Sequence, residues 1–239
     1  MSEGRRSTSS GQRRRSTTPL GETGRSASVA VAVDVVPFGL RDGRLHAALV
    51  QVGSTDDASL FAFPGGRVQS EESLDVAARR CLERHLSPEG AFLEQLYAFG
   101  EPGRDPSSRV VSVAYLALIP HVEEAPGVHW RPSDDLPALA YDHGAVGEKA
   151  LERLRGKLAY TNIAFGLLDD GFTLAELQKA YETILGRDLD RRNFRKKVLA
   201  LDLVVPSGRV RRGPHRPAEL FRFAERALTP IDALFTKKG

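Results

Sequence analysis

The sequence has a single cysteine, Cys81, in 239 residues. An intrachain disulfide is therefore impossible, and no pair of ligands stands at zinc-finger spacing. It also lacks any apolar run near the roughly 18 residues that a membrane-spanning helix needs. The first residues are basic (Arg5, Arg6 and Arg13 to Arg15), yet Ser, Thr and Gly follow where a secretory leader would carry an apolar stretch. There is no internal repeat. These absences exclude disulfide scaffolds, helical membrane proteins and solenoids, and a cytoplasmic protein is expected. What is present is an ordinary apolar content of 41%, enough to bury a core, in a length that holds two modest domains or one large one.

The formal net charge of +3 hides a strong partition. Residues 1–27 carry 6 Lys and Arg against 2 Asp and Glu, and residues 28–185 carry 14 against 23. Residues 186–226 carry 12 against 5, and the last thirteen carry 2 against 1. An acidic body between a basic tail and a basic module suits a protein that holds a polyanion with its ends.

Residues 1–27 are Ser, Thr, Gly and Arg with almost no large apolar side chain, too little to offset the entropy of ordering, and a disordered tail is expected. Val29 to Val36 and Leu45 to Val52 read as strands joined by the turn Arg41-Asp42-Gly43. Phe61 to Phe63 leads into Pro64-Gly65-Gly66, which breaks regular structure. Leu74, Ala77, Ala78, Cys81, Leu82 and His85 keep helical spacing, which predicts a helix over 74–86 ended by Pro88. Phe92 to Phe99 and Val110 to Ile119 read as further strands, and residues 120–137 as loop. The layout is α+β rather than a chain of βαβ units.

A second pattern follows. Lys149 to Leu158 reads as a charged amphipathic helix, and Thr161 to Leu168 as a helical continuation. Thr173-Leu174-Ala175-Glu176 has the form of a capping box, and Leu174, Leu177, Tyr181 and Ile184 give the helix behind it an apolar stripe that Gly186 ends. Asp190 can cap a further helix to about Leu201, with Phe194, Val198 and Leu201 on one face. Leu203 to Val205, a turn at Ser207-Gly208, the basic stretch Arg209 to Arg212 and the strand Leu220 to Phe223 complete the order of a winged helix-turn-helix.

Gly66, Glu72, Arg80 and Leu82 stand at the spacing of the first half of a Nudix box, and the segment FPGGRVQSEESLDVAARR resembles it. The second half departs. Cys81, Arg84 and His85 stand where that family has three glutamates, and Ser87 where it has the final glycine. A hard cation such as Mg²⁺ wants carboxylate oxygens, which Arg84 and a thiol cannot supply; Glu83 falls at the variable position. No catalytic residue and no metal ligand is therefore expected. The backbone N–H groups of Gly65 and Gly66, with Arg67 and Arg80, can still hold a diphosphate without metal, with Glu72 as the remaining polar group and Arg84 adding positive charge.

The stretch from Ala150 to Val204 resembles the C-terminal half of the Nudix-related transcriptional regulators of NAD metabolism, the NrtR family. The resemblance is carried by Arg153-Leu154-Arg155-Gly156-Lys157, Phe172-Thr173-Leu174, Tyr181-Glu182, Leu185-Gly186-Arg187, the run Leu189 to Lys197, and Arg216-Pro217-Ala218. Behind the tail of 1–27, it implies a Nudix-type α/β/α sandwich effector domain over 28–148, and a winged helix-turn-helix over 149–229 with 149–158 as linker helix. It further implies a homodimer on a palindromic operator of NAD synthesis or salvage genes, a repressor whose effector is ADP-ribose or a related nucleotide. No cofactor is required. Independently of the family, Arg192, Arg195 and Lys196 can reach guanine or phosphate and Asn193 adenine, while Arg209, Arg211, Arg212 and Arg216 place cations on a wing, with His215 beside them. The Arg-rich tail is either a minor-groove arm or a passive solubilising segment. The alternatives are a Nudix hydrolase of ADP-ribose-like diphosphates fused to a nucleic-acid-binding module, and an RNA-binding protein using the same basic surface.

Overall fold

The computed structural model describes residues 28–54, 59–86, 89–212 and 217–231. The tail 1–27, Ser87, Pro88, His215 and Arg216, for which expectations were set out above, lie outside the described residues.

Strand β1 (Ala30–Arg41) turns into β2 (Arg44–Ser54) through Asp42 and Gly43, both at positive φ of 50° and 73°. That pair of left-handed residues is the geometry whose twist matches two antiparallel strands. β3 (Ser59–Ala62), β4 (Gly65–Arg67), helix α1 (Leu74–Glu83), β5 (Phe92–Phe99), β6 (Val110–Ile119) and β7 (Val128–Pro132) follow. The sheet runs β3-β2-β1-β6-β5, with β4 paired to β1 and β7 to β2. Only the central β1 and β6 are parallel; the other pairings are antiparallel.

The period of two in the central strands sorts their side chains onto two faces. Val33 and Val35 of β1 and Val113, Tyr115 and Ala117 of β6 pack under α1 with Ala77, Ala78, Cys81 and Leu82. Val36 and Phe38 with Ala114, Leu116 and Leu118 face the other way. There they meet helix α2 (His143–Lys157), through Val146, Ala150, Leu154 and Leu158. The same apolar cluster continues without a break into Tyr181, Phe194, Val198 and Phe223 of the C-terminal unit.

That unit consists of a 3-10 turn (Ile163–Gly166), α3 (Leu174–Leu185), α4 (Arg191–Ala200) and the hairpin β8 (Val204–Arg211) with β9 (Ala218–Phe223). The capping box at Thr173 forms in full, and Gly186 closes α3 at φ 66°. Asp190 accepts the Asn193 N–H at 2.7 Å and starts α4. A short bridge between Phe172 and Phe221 adds a third strand segment to the hairpin, which completes a winged helix. No helix among the described residues is long and apolar enough to cross a membrane.

Six local expectations change. Gly65 and Gly66 do not break regular structure but open strand β4, paired antiparallel with β1. Residues 120–137 contain β7, where Val128 and Trp130 turn inward beside β2. Helix α1 ends at Glu83, because His85 N–H bonds Leu82 O and the last turn tightens. Helix α2 begins at His143 rather than Lys149. Residues 161–168 hold only the 3-10 turn, since the Asn162 amide donates to the carbonyls of Glu225 and Ala227 and accepts the Thr229 N–H, drawing the chain away from a helical path. Finally, Ser207-Gly208 is not the hairpin turn: β8 runs through it with an irregularity between Pro206 and Val210.

Candidate functional site

A cavity of about 360 Å³ opens beside β1, β2, β4, the end of α1 and the start of α2. Gly65, Gly66 and Arg67 form part of its wall, as do Arg84 and His85. Gly65 is obligatory here: a Cβ would stand 2.5 Å from Asp34 Oδ1 and 2.8 Å from Val33 O. At Gly66 the nearest atom is Cys81 Sγ at 3.3 Å, which a small shift relieves. Gly65→Ala is thus expected to lower stability by about 1–3 kcal/mol, read as a drop in Tm, with Gly66→Ala the milder of the two. Equal Tm values for Gly65→Ala and the wild type would refute the close packing.

Of the five residues expected to hold a ligand, three line the cavity and two hold each other. Arg80 Nε donates to Glu72 Oε2 at 2.8 Å, and its Nη2 reaches Glu72 Oε1 and, at 3.1 Å, the carbonyl of Arg67. The Gln69 N–H also bonds Glu72. Hydrogen bonds from Arg80 and the Gln69 backbone outweigh desolvation and hold the Glu72 carboxyl down at about 2. This clip fixes the loop that follows Arg67, the last residue of β4. It also engages the carboxylate that a metal would need, and Cys81 does not replace it: burial pushes that thiol up and keeps it protonated. The donor set therefore does not fit the Mg²⁺ of a Nudix hydrolase.

The deepest polar feature of the site has no counterpart in the sequence expectations. Asp34, in the middle of the apolar strand β1, is 6% exposed, and Arg104 is 8% exposed. Arg104 Nη2 donates to Asp34 at 2.9 Å and to Asp142 at 2.6 Å, while its Nε donates to Asp142 at 3.0 Å. Ser112 Oγ donates to Asp34 at 2.6 Å. His143 Nδ1 accepts the Phe63 N–H at 2.9 Å, which places the ring proton on Nε2, 3.4 Å from Asp34 Oδ1. Burial pushes the Asp34 carboxyl up, but His143, Ser112 and Arg104 together carry it below the ordinary value. Asp142 occupies the N-cap of α2 without capping it, its carboxylate being engaged by Arg104. One sequence signal did point here: a lone Asp inside the run Val-Ala-Val-Asp-Val-Val. Arg104 sits in a loop and offers none.

The second surface lies on the C-terminal unit. Gln178 Nε2 donates to Glu182 and to Leu189 O, both at 2.8 Å, and Glu182 accepts the Leu189 N–H at 3.0 Å. This fixes the turn between α3 and α4, while Tyr181 and Phe194 meet edge to face at 5.4 Å. The buried face of α4 is Phe194 and Val198; Arg192, Asn193, Arg195 and Lys196 are all exposed. Neither those three cations nor Arg209 and Arg212 of the hairpin form an ion pair with a described residue. Arg211 differs: it pairs with Glu176 and donates to Gly171 O at 2.9 Å, tying the hairpin to α3.

Comparison with known proteins places both parts. Residues 164–223 match the model of the NrtR DNA-binding winged helix domain. A curated protein of Acinetobacter baylyi, the ADPR responsive transcriptional repressor NtrR, is 33% identical over 208 residues, covering 82% of this chain and 83% of that protein. The chain belongs to the NrtR family. The crystal structure of Shewanella oneidensis NrtR complexed with a 27mer DNA has a TM-score of 0.69 to it at 33% identity, over 81% of this chain and 93% of that one. A MutT/nudix family protein from Enterococcus faecalis shares the fold, with a TM-score of 0.66 and 24% identity over 84% and 90% of the two chains. This NrtR-family chain is thus a Nudix-like domain followed by a winged helix, and its curated relative is a transcriptional repressor.

Proposed function

We propose that this chain is a sequence-specific DNA-binding transcriptional repressor whose Nudix-like domain senses ADP-ribose or a close nucleotide. In this reading it works as a cytoplasmic homodimer on a palindromic operator of NAD synthesis or salvage genes. The observation that carries it is the course of α2. Its first residues, Asp142 and His143, belong to the polar cluster beside the cavity, and its last turn packs into the core of the winged helix. Arg155 Nε also donates to the carbonyl of Ile184 at 2.8 Å, at the end of α3. A ligand that prefers one placement of α2 shifts the winged helices through it, and one with no preference shifts nothing.

The residue roles follow from the chemistry. The N–H groups of Gly65 and Gly66 and the guanidinium of Arg67 take the diphosphate, with Arg84 as added positive charge. Glu72 and Arg80 act one step back, by fixing the end of β4 from which Arg67 extends and the loop behind it. With Cys81, Arg84 and His85 at the positions of the family glutamates, the site binds without hydrolysing. On the other surface Arg192, Asn193, Arg195 and Lys196 enter the major groove, and Arg209 and Arg212, with Arg216, lie along the phosphates. The names of the relatives support both halves, an ADPR-responsive repressor and a DNA complex.

The test is a titration of the full chain on duplex DNA from an NAD-biosynthesis promoter, with and without ADP-ribose, at two salt concentrations. Binding is expected to be sequence-specific, to weaken with salt, and to change by about 5- to 150-fold with ADP-ribose, the range of ordinary coupling energies. Binding indifferent to sequence would refute the regulator reading. Magnesium-dependent release of ribose 5-phosphate from ADP-ribose would return the hydrolase alternative.

A further inference from the structure

Tyr141 is placed against three ordinary preferences at once. Its backbone is left-handed, at φ 58°, a conformation that costs a bulky non-glycine residue strain. Its side chain is large and 53% exposed, and it lines the cavity. The turn it occupies does not require a tyrosine. That turn is set by Ala140 N–H to Phe61 O at 2.8 Å, by His143 N–H to Ala140 O at 3.3 Å, and by the Asp142 pair with Arg104. Glycine would serve it without strain. What tyrosine adds is the ring.

The ring ends a ladder. Phe63 and His143 stack at 5.7 Å with 18° between their planes, and Tyr141 leans on His143 at 5.4 Å and 49°. Phe63 and His143 are buried, at 1% and 2% exposure, so Tyr141 alone has an open face. Two buried rings and a strained backbone hold it beside a cavity whose wall also carries Arg67 and Arg84. Cations serve phosphates, and an open aromatic face serves a flat π-system.

We propose that Tyr141 is the stacking platform for the adenine of the nucleotide that fills this cavity, an inference that rests on the nucleotide-sensor reading above. The base lies on the open face of Tyr141 as the fourth ring of the ladder, while the diphosphate takes the cationic wall. Tyr141 sets which ligand is accepted: a nucleoside diphosphate sugar gains the stacking contact, and a sugar phosphate without a base does not.

The experiment titrates the full chain with 1,N6-etheno-ADP-ribose, whose base fluoresces and is quenched on stacking against an aromatic ring. Wild type and Tyr141→Phe should bind alike and quench at saturation. Tyr141→Ala should bind about 10- to 100-fold more weakly, the usual worth of one base stack, and show no quenching at saturation. Tyr141→Gly, which relieves the backbone strain, should lose affinity equally while folding at least as well. Unchanged affinity in Tyr141→Ala would overturn the proposal. So would a loss of affinity with quenching retained at saturation, since the base would then stack elsewhere. If the wild type binds neither this nucleotide nor ADP-ribose, the nucleotide-sensor reading fails and takes the platform with it, an outcome distinct from a failure of Tyr141 alone.

Discussion

Replacing Arg104 by methionine is expected to cost about 3–5 kcal/mol of folding stability near neutral pH, the usual penalty for removing one partner of a buried ion pair. The side chain is 5% exposed and faces Asp34, 9% exposed, and Asp142, 22% exposed. Methionine fills much of the same volume, so the loss is one of charge rather than of packing. The penalty comes from Asp34, which is left ionised in an apolar strand with only Ser112 and His143 as partners. Two further measurements separate this from a generic core defect. First, Asp34→Asn on top of Arg104→Met should restore part of the lost stability, because no buried charge is then unpaired. Second, the penalty should depend on pH with a definite sign. In the wild type the Asp34 carboxyl lies below its ordinary value of 3.8, so its stabilising interactions are present above that pH and fade as pH falls below it. Without Arg104 the same carboxyl rises, and protonation in mild acid relieves the strain. The Tm difference between wild type and variant should therefore shrink as pH is lowered from 7 toward 4. A difference that stays constant or grows would show that the ion pair is not what Arg104 contributes.

The same cluster shows which features can be read from a sequence. Elements fixed by neighbouring residues were legible: the Asp42-Gly43 turn, the capping box at Thr173, the left-handed Gly186 and the Asp190 cap all lie within a few residues of what they control. Features fixed by distant partners were not. Gly65 and Gly66 read as a break in regular structure, yet with Arg67 they form the short strand β4, because β1, some thirty residues away, pairs with them. The start of α2 has no capping hydrogen bond of its own, and two glycines stand in its first turns, so nothing local marks it. Its position follows from Arg104, 38 residues away. Strand β7 is five residues long and is aligned by β2 rather than by its own pattern. Arg80 and Glu72 were legible as a correctly spaced pair, but whether they face a ligand or each other depends on the loop between them, which folds so that they meet. Tyr141 reads as one more aromatic residue until its φ and exposure are known.

The second large effect is expected on α4. Simultaneous Arg192→Ala, Arg195→Ala and Lys196→Ala should weaken operator binding by at least about 100-fold, since each such contact contributes on the order of 1–3 kcal/mol. Stability should hardly move, because all three side chains are exposed and unpaired among the described residues. The single variants divide the roles. Loss of a phosphate contact lowers affinity on every sequence and reduces the slope of log K against log salt by about 0.9. Loss of a base contact leaves the slope nearly unchanged and relaxes discrimination at one operator position, which is the behaviour expected of Asn193→Ala. Arg211 supplies the internal contrast. It belongs to the same basic stretch as Arg209 and Arg212, but its guanidinium is engaged by Glu176 and the Gly171 carbonyl. Both partners of that pair are about half exposed, so Arg211→Ala should cost no more than about 1 kcal/mol of stability. It should leave the salt slope intact, whereas Arg209→Ala or Arg212→Ala should lower it. A salt slope that falls equally in all three would mean that Arg211 leaves Glu176 to reach DNA, and that the hairpin is released from α3 when the operator binds.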